Sequence, residues 1–183
     1  PNIRVIILTM YEDERWNKTL YPLMMRKKYH VGFFGKYHHL DPPRHIPAFS
    51  EIRTAPYSHF FKRSGVERHV TQWNEDDSTD FLKKRPKDKP FFLTVSFFAT
   101  HAEDGSREQY RPMNSSMSWY LDEPVPVPKT HTDAHWRALP YFFNERNFGR
   151  ARFRKRYDTP EVYQHMMKNT YRMATEVDTA IGR

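Results

Sequence analysis

The sequence predicts an α/β fold, in which a sheet carries helices on both of its faces. Short apolar runs of strand length alternate along the chain with segments of helical spacing, and this alternation is typical of layered α/β domains. The longest apolar runs, at residues 5–8 and 91–99, are far shorter than the roughly 20 residues that cross a bilayer. We therefore expect one domain without a membrane span over residues 1–183.

Three segments have the composition of strands. Residues 3–8 are apolar and β-branched, and residues 31–34 form a shorter apolar run that ends at Gly35. Residues 91–98 give the clearest strand pattern. Their near-continuous apolarity predicts burial on both faces, as in a central strand of a parallel sheet.

Helical patterns fall between and after these strands, at residues 20–28, 74–85 and 159–181. The first has a basic last turn and the second has an acidic first turn, and both features complement the helix dipole. The third is the best marked, because Thr159 can cap it and Pro160 suits its first position. Residues 41–65 and 105–147 show no period, so we expect irregular structure there.

The composition excludes some kinds of site. The chain has no cysteine, which rules out disulfides, thiolate metal sites and cysteine catalysis. Its formal net charge of +8 attracts anions of any kind, including sulfated molecules, acidic lipids and nucleic acid. Residues 146–156 interleave basic side chains with Phe148 and Phe153, a pattern that can bind nucleic acid. We favour a solvated basic loop, or a rim that steers sulfated glycans, and expect no nucleic-acid partner.

Titratable side chains follow each predicted strand, in residues 9–13, 35–39 and 100–104. In open α/β sheets, ligands bind beyond the carboxyl ends of the strands. We therefore expect these three segments to converge on one site. The remaining histidines show no metal-ligand spacing, and we assign them no site.

The same segments resemble the sulfatase family of alkaline-phosphatase-like hydrolases. Residues 32–38, Gly-Phe-Phe-Gly-Lys-Tyr-His, resemble the family's glycine-lysine-aromatic-histidine motif. Residues 89–102 resemble its later strand and the proline-histidine pair at the strand's end, with Thr100 in place of the proline. Residues 171–182 resemble the helix before a strand that delivers further metal ligands. Residues 1–3 and the apolar strand after them resemble the family's opening strand.

The resemblance implies a partial alkaline-phosphatase/sulfatase-like domain that hydrolyses sulfate esters or sulfamates of a sugar or small molecule. In the family, a formylglycine hydrate made from Cys or Ser in a Cys/Ser-x-Pro-x-Arg motif attacks sulfur. Calcium and basic side chains neutralise the sulfate oxygens. Carried over by position, Lys36 would contact the sulfate and the nucleophile, and His38 would act as base on the nucleophile. His101 would bind sulfate or protonate the leaving oxygen.

The sequence departs from the family pattern at three points. It contains no Cys/Ser-x-Pro-x-Arg motif, and only residues 17–19 stand where family members carry a long segment. Residues 10–11 replace an expected aspartate pair, so we place the calcium ligands at Glu12 and Asp13, whose carboxylate oxygens suit Ca²⁺. The chain also stops at Arg183, before the strand with a further metal pair, so we expect a truncated domain.

Three hypotheses follow. The chain is part of a sulfatase that acts, at full length, on a sulfated sugar or small sulfate ester. Alternatively, it is a catalytically inactive sulfatase fragment that at most binds anions, or a basic nucleic-acid-binding protein. We predict that this exact chain is inactive. The family is mostly secreted, periplasmic or lysosomal, and no signal peptide is visible in this sequence.

Overall fold

The main sheet is parallel and four-stranded, with the strand order β1-β6-β2-β3. A computed structural model describes residues 5–9, of which it gives the backbone alone, together with residues 19–37 and 49–183. The strands of the main sheet are β1 (Val5–Thr9), β2 (His30–Lys36), β3 (Glu51–Ala55) and β6 (Phe91–Ser96). A separate antiparallel hairpin consists of β4 (Phe60–Arg63) and β5 (Val66–His69).

Helices cover both faces of the sheet, which confirms the predicted fold class. The helices are α1 (Tyr21–Arg26), α2 (Val70–Lys84), α3 (Asp133–Arg137), α4 (Phe148–Tyr157) and α5 (Pro160–Gly182). On one face, Tyr21 of α1 packs with Phe33 and Phe92. On the other, Phe81 of α2 packs with Phe34, and Val177 of α5 joins the same cluster. None of the described helices is both long and apolar enough to cross a membrane.

Two neighbouring phenylalanines on β2 belong to different hydrophobic clusters, one on each face of the sheet. Phe33 belongs to the cluster of α1, and Phe34 belongs to the cluster of α2, because successive side chains of a strand point to opposite faces. All six residues of β6 are buried. The prediction of a central strand buried on both faces is therefore confirmed.

Gly35 lets β2 approach β6 at their carboxyl ends. It has a φ of +112°, and a Cβ atom built on it would lie 2.0 Å from the backbone oxygen of Ser96. The two residues are paired in the β2–β6 ladder. Only glycine fits this backbone conformation and this close contact, so the residue before Lys36 is fixed by the fold.

Part of the segment expected to be irregular, residues 41–65, is instead regular, since β3 and β4, the first strand of the hairpin, lie there. The reason is that β3 is an edge strand whose side chains are mostly half-buried and polar. Arg53, for example, pairs with Asp77 of α2 across 3.1 Å. Such a strand has no apolar run by which a sequence could reveal it.

Two helix boundaries also differ from expectation. Helix α2 begins at Val70 rather than at residue 74, because the His69 ring accepts a hydrogen bond from the Thr71 amide and acts as its cap. The basic run forms helix α4 rather than a loop, with Asn147 accepting from the Gly149 amide. Helix α5 starts at Pro160 behind the Thr159 cap, as predicted.

Candidate anion site at the carboxyl edge of the sheet

The strand ends that were expected to converge lie side by side. Thr9 of β1 pairs with Ser96 of β6, and Ser96 also pairs with Gly35 of β2. On the far side of β2, Lys36 pairs with Ala55 of β3. Because all four strands are parallel, the segments that follow them leave from the same edge of the sheet.

Lys36, the last residue of β2, is almost fully buried between aromatic rings. Its side chain is 5% exposed, and its Nζ lies 5.0 Å from the ring centroid of Tyr57 and 5.5 Å from that of Phe98. The ring faces attract the ammonium group. Burial lowers the pKa of Lys36, and the nearby carboxylate of Asp104 partly opposes that effect. An anion beside Nζ would relieve the cost of holding this charge out of water.

His101 lies against the same phenylalanine. Its ring centroid is 5.4 Å from that of Phe98, whose own side chain is 1% exposed. The Nδ1 atom is 2.7 Å from the carbonyl oxygen of Ala102. Since a carbonyl oxygen only accepts, Nδ1 carries the proton, and Nε2 is the atom left for a ligand. The structure therefore brings Lys36 and His101 to one ring.

Hydrogen bonds hold the backbone of His101 on both sides. Its amide donates to the carbonyl oxygen of Phe98 at 2.7 Å. Its carbonyl oxygen accepts from Nε2 of His59, which is fully buried, at 2.9 Å. The loop that carries His101 is thus tied to the segment between β3 and β4.

Glu103 strengthens the same connection. Its carboxylate accepts from the His59 amide at 2.9 Å and from the Ser58 hydroxyl at 3.1 Å. The pKa of His59 is lowered, because the effect of burial outweighs the opposing effects of the bond to the His101 carbonyl and the charge of Glu103. Sequence reasoning missed His59, because it lies 42 positions before His101 and no spacing rule links them.

The other predicted site residues cannot be placed against this geometry. His38, Glu12 and Asp13 all lie outside the described residues. Within residues 19–37 and 49–183, no three histidine, aspartate or glutamate side chains form a group that could hold a metal ion. The calcium site at Glu12 and Asp13 stays a prediction, and no chemical step is derived through it.

The basic run docks beside this site instead of facing solvent freely. Arg152 and Arg156 of α4 both contact the carboxylate of Asp104, three positions after His101. Lys155 donates to the carbonyl oxygen of Ser106 at 2.8 Å. On the other side of the helix, Arg154 pairs with Glu145. Most basic side chains of this run are therefore paired with groups of the protein itself.

Comparisons with known proteins bear on the fold and on part of the sequence. No family model matches the chain. A segment of 60 residues is 38% identical to an arylsulfatase of Clostridium perfringens (strain 13 / Type A), which is 33% of this chain and 11% of that protein. The fold is similar to that of BT4656, solved in complex with its substrate D-glucosamine-2-N,6-O-disulfate, with a TM-score of 0.57 and 16% identity.

The matches cover only part of either relative. The structural match spans 89% of this chain but 44% of BT4656, so the chain is less than half as long as the protein whose fold it shares. At 16% identity, that match shows the fold alone. The sequence match adds a specific link to an arylsulfatase. The local identity to an arylsulfatase and the fold shared with BT4656 support the resemblance to the sulfatase family that the motif around Lys36 indicates.

Proposed function

We propose that the chain forms part of a sulfatase active site, in which Lys36 and His101 bind the sulfate group of a sulfated sugar or a small sulfate ester. The observation that carries this proposal is the position of both side chains on the ring of Phe98, beyond the carboxyl ends of β2 and β6. Ligands of parallel α/β sheets bind at that edge. The relation to an arylsulfatase supports sulfate as the anion.

The two side chains suit a tetrahedral oxyanion in different ways. Lys36 supplies a compact positive charge in a site that is largely closed to water, where an electrostatic contact is stronger than in solution. His101 presents Nε2, because its Nδ1 proton is held by Ala102. When protonated, Nε2 donates to a sulfate oxygen or passes its proton to a leaving oxygen.

We further propose that the full-length protein hydrolyses sulfate esters or sulfamates, whereas these 183 residues bind the anion without turning it over. The sequence supports the second point, because it has no cysteine and no serine in a Ser-x-Pro-x-Arg pattern. Glu12, Asp13 and His38 keep their predicted roles as calcium ligands and base. A secreted, periplasmic or lysosomal location is likewise proposed from the family alone.

A nucleic-acid partner is not part of the proposal. The cations of α4 that could contact phosphates are engaged with Asp104 and Glu145. Phosphate-backbone binding depends on several free Lys or Arg side chains. The same helix is better suited to position the loop that contains His101.

The proposal is tested by titrating the chain with sodium sulfate and with D-glucosamine-2-N,6-O-disulfate at constant ionic strength in a calorimeter. We expect Lys36→Met to weaken both affinities by about tenfold or more, since a charge-assisted contact is lost. Lys62→Met, at an exposed position of β4, is the matched control and should leave binding unchanged. Equal affinities of Lys36→Met and the unchanged chain for sulfate would contradict the proposal.

Catalysis is examined on the same preparation with a chromogenic aryl sulfate, with and without Ca²⁺. We expect no turnover above the buffer rate, because no residue of the chain stands in the nucleophile motif. Calcium-dependent turnover would contradict the inactivity of this chain, while the binding result would still report on Lys36.

A further inference from the structure

We propose that a turn of exposed aromatic residues between α3 and α4 binds the surface of an anionic lipid bilayer. Residues 139–143, Leu-Pro-Tyr-Phe-Phe, are all exposed, and we call them the aromatic turn. Tyr141 is 92% exposed and Phe142 is 54% exposed, and Phe148 at the start of α4 is 69% exposed. Runs of exposed apolar residues are avoided on protein surfaces unless they bind something.

The two ends of the aromatic turn rest on the protein, and its middle projects. Leu139 and Phe143 line a pocket of about 730 Å³, the aromatic pocket, which residues 130–158 form. The wall of this pocket also includes two rings and a guanidinium group from α3 and α4, those of Trp136, Phe153 and Arg150. Tyr141 and Phe142 lie outside the lining, and their ring centroids are 5.6 Å apart. The turn is therefore attached at its base, and its two middle rings face solvent.

The main chain of the aromatic turn is paired without the help of water. The Phe143 amide donates to the carbonyl oxygen of Pro140 at 2.8 Å, and a proline has no amide proton to satisfy. The next two carbonyl oxygens each accept from an asparagine side chain at 3.4 Å, that of Tyr141 from Asn144 and that of Phe142 from Asn147. Unpaired main-chain groups are what makes an irregular segment costly to place among lipids. This turn can therefore enter the headgroup layer with these carbonyl groups already paired.

The size of the exposed apolar surface suits a bilayer better than a second protein. An aromatic side chain buries about 150–250 Å², so the exposed parts of Tyr141, Phe142 and Phe148 together offer roughly 300–550 Å². A stable protein interface covers about 800 Å² of each partner. Aromatic rings, by contrast, enter the headgroup region a few at a time, and the tyrosine hydroxyl stays in contact with water there.

The charge around the aromatic turn favours acidic headgroups. Residues 130–158 contain seven Lys or Arg side chains and three acidic ones. Asp104, which pairs with Arg152 and Arg156, adds a fourth acid and leaves a formal charge of +3. Attraction to an acidic lipid surface depends on this summed charge over a distance of about 10 Å, so it does not need unpaired side chains. Arg146, in the same loop as the turn, is exposed.

Binding is measured by sedimenting the 183-residue chain with vesicles of phosphatidylcholine alone, and with vesicles of phosphatidylcholine and phosphatidylglycerol in equal parts. We expect the mixed vesicles to bind it about tenfold more tightly or better, and added salt to weaken that binding. Changing Tyr141→Ala and Phe142→Ala together should weaken it by about tenfold or more, because both rings are lost from the interface. Arg146→Gln should weaken it by about threefold.

Two controls separate the aromatic turn from other surfaces. Val66→Ala combined with Leu121→Ala removes apolar groups that are 56% and 57% exposed elsewhere, and should leave vesicle binding unchanged. Lys36→Met should also bind as the unchanged chain does, because lipid phosphates are not expected to reach the sheet edge. Thermal unfolding of each variant shows that it is folded.

A label reports which part of the chain meets the lipid. The chain has no cysteine, so Tyr141→Cys gives a single point of attachment for an NBD fluorophore. On mixed vesicles its emission should brighten and shift to shorter wavelength, since the dye leaves water. The same dye at Leu121→Cys should keep its spectrum. This measurement does not depend on how the alanine variants fold.

Several results would overturn the proposal. These are equal binding to the two kinds of vesicle, full binding by the Tyr141→Ala and Phe142→Ala double variant, loss of binding with Lys36→Met, and an unchanged spectrum at position 141 on bound protein. Sedimentation equilibrium without lipid examines a second copy of the chain as the partner. A dimer that the double variant converts to a monomer would assign the aromatic turn to a contact between copies, and would overturn the lipid proposal as well.

Discussion

The sheet-edge site, formed by Lys36 and His101, and the aromatic pocket, formed by residues 130–158, position their side chains by different means. Lys36 is held by backbone pairing in the ladder between β2 and β3, and His101 by hydrogen bonds to its own main chain. Arg150 and Trp136 are held by contacts between side chains, on helices that bury none of their residues. The first site is therefore built into the folding core, and the second is carried on top of it.

The largest expected effect comes from two glycines near the sheet edge, one inside a strand and one in an exposed loop. Gly35→Ala should lower the free energy of unfolding by about 3 kcal/mol or more, because it adds a strained φ and a backbone clash with Ser96. Gly105→Ala, in the loop after His101, meets no atom within 4 Å and should change stability by less than about 0.5 kcal/mol. Urea denaturation of the two variants measures both values. Equal losses would show that the strand end is no more constrained than the exposed loop after His101.

Acid should act on the core through its buried histidines. Burial and the neighbouring His59 lower the pKa of His69 to about 3, so the unfolded chain takes up this proton first. The contribution of His69 to stability is therefore complete above about pH 6.5 and falls as the pH drops towards 3, by up to about 1.4 kcal/mol per pH unit. The pKa of Glu176, whose carboxylate lies 3.9 Å from His69, is raised by burial and works in the opposite direction.

Because these two effects oppose each other, the test compares the pH dependence of stability between variants. Stability curves from pH 7 to pH 4 should be flatter for His69→Gln by close to one proton, at whatever absolute stability that variant has. His135→Gln, on exposed helix α3, should keep the slope of the unchanged chain. If the two variants have the same slope, His69 is not the group that takes up the proton.

The smallest effect is expected from two helix caps of equal geometry. Thr159 accepts from the Val162 amide at 3.3 Å, and Thr132 accepts from the His135 amide at the same distance. Thr159→Ala should cost about 1 kcal/mol, because α5 packs into the core. Thr132→Ala should leave global unfolding almost unchanged, since α3 buries no residue. Denaturation midpoints of the pair decide this, and a larger loss for Thr132→Ala would contradict it.

The same contrast explains what the sequence could reveal. Continuous apolarity in β6 and a glycine before Lys36 are local signals, and they led to the sheet and to the candidate site at its edge. Strand β3 was not predicted from the sequence, because its contacts are polar, as in the pairing of Arg53 with Asp77. Helix α4 was not predicted either, because it has no apolar face. Its ion pair with Asp104 also joins positions 48 residues apart in the chain. Long-range ion pairs leave no periodic trace.

The aromatic pocket was also invisible in the sequence. Trp136 and Arg150 are brought together by turns in an aromatic segment that contains Pro140, without the regular spacing of one helix face or one strand. His59 is similar, since its role depends on bonds to His101 and Glu103, more than 40 positions away in the chain. Tertiary contacts between side chains of low periodicity have to be observed rather than inferred.

The shallow attachment of α3 and α4 has a consequence for divergence. Because neither helix buries a residue, substitutions there cost the molecule little folding free energy. Apart from Arg152 and Arg156, which hold Asp104, residues 130–158 can therefore exchange rings and charges more readily than Gly35, whose backbone conformation and contact with the Ser96 backbone leave no room for a side chain. Related proteins that retain the sheet edge can in this way come to bind different ligands in the neighbouring pocket.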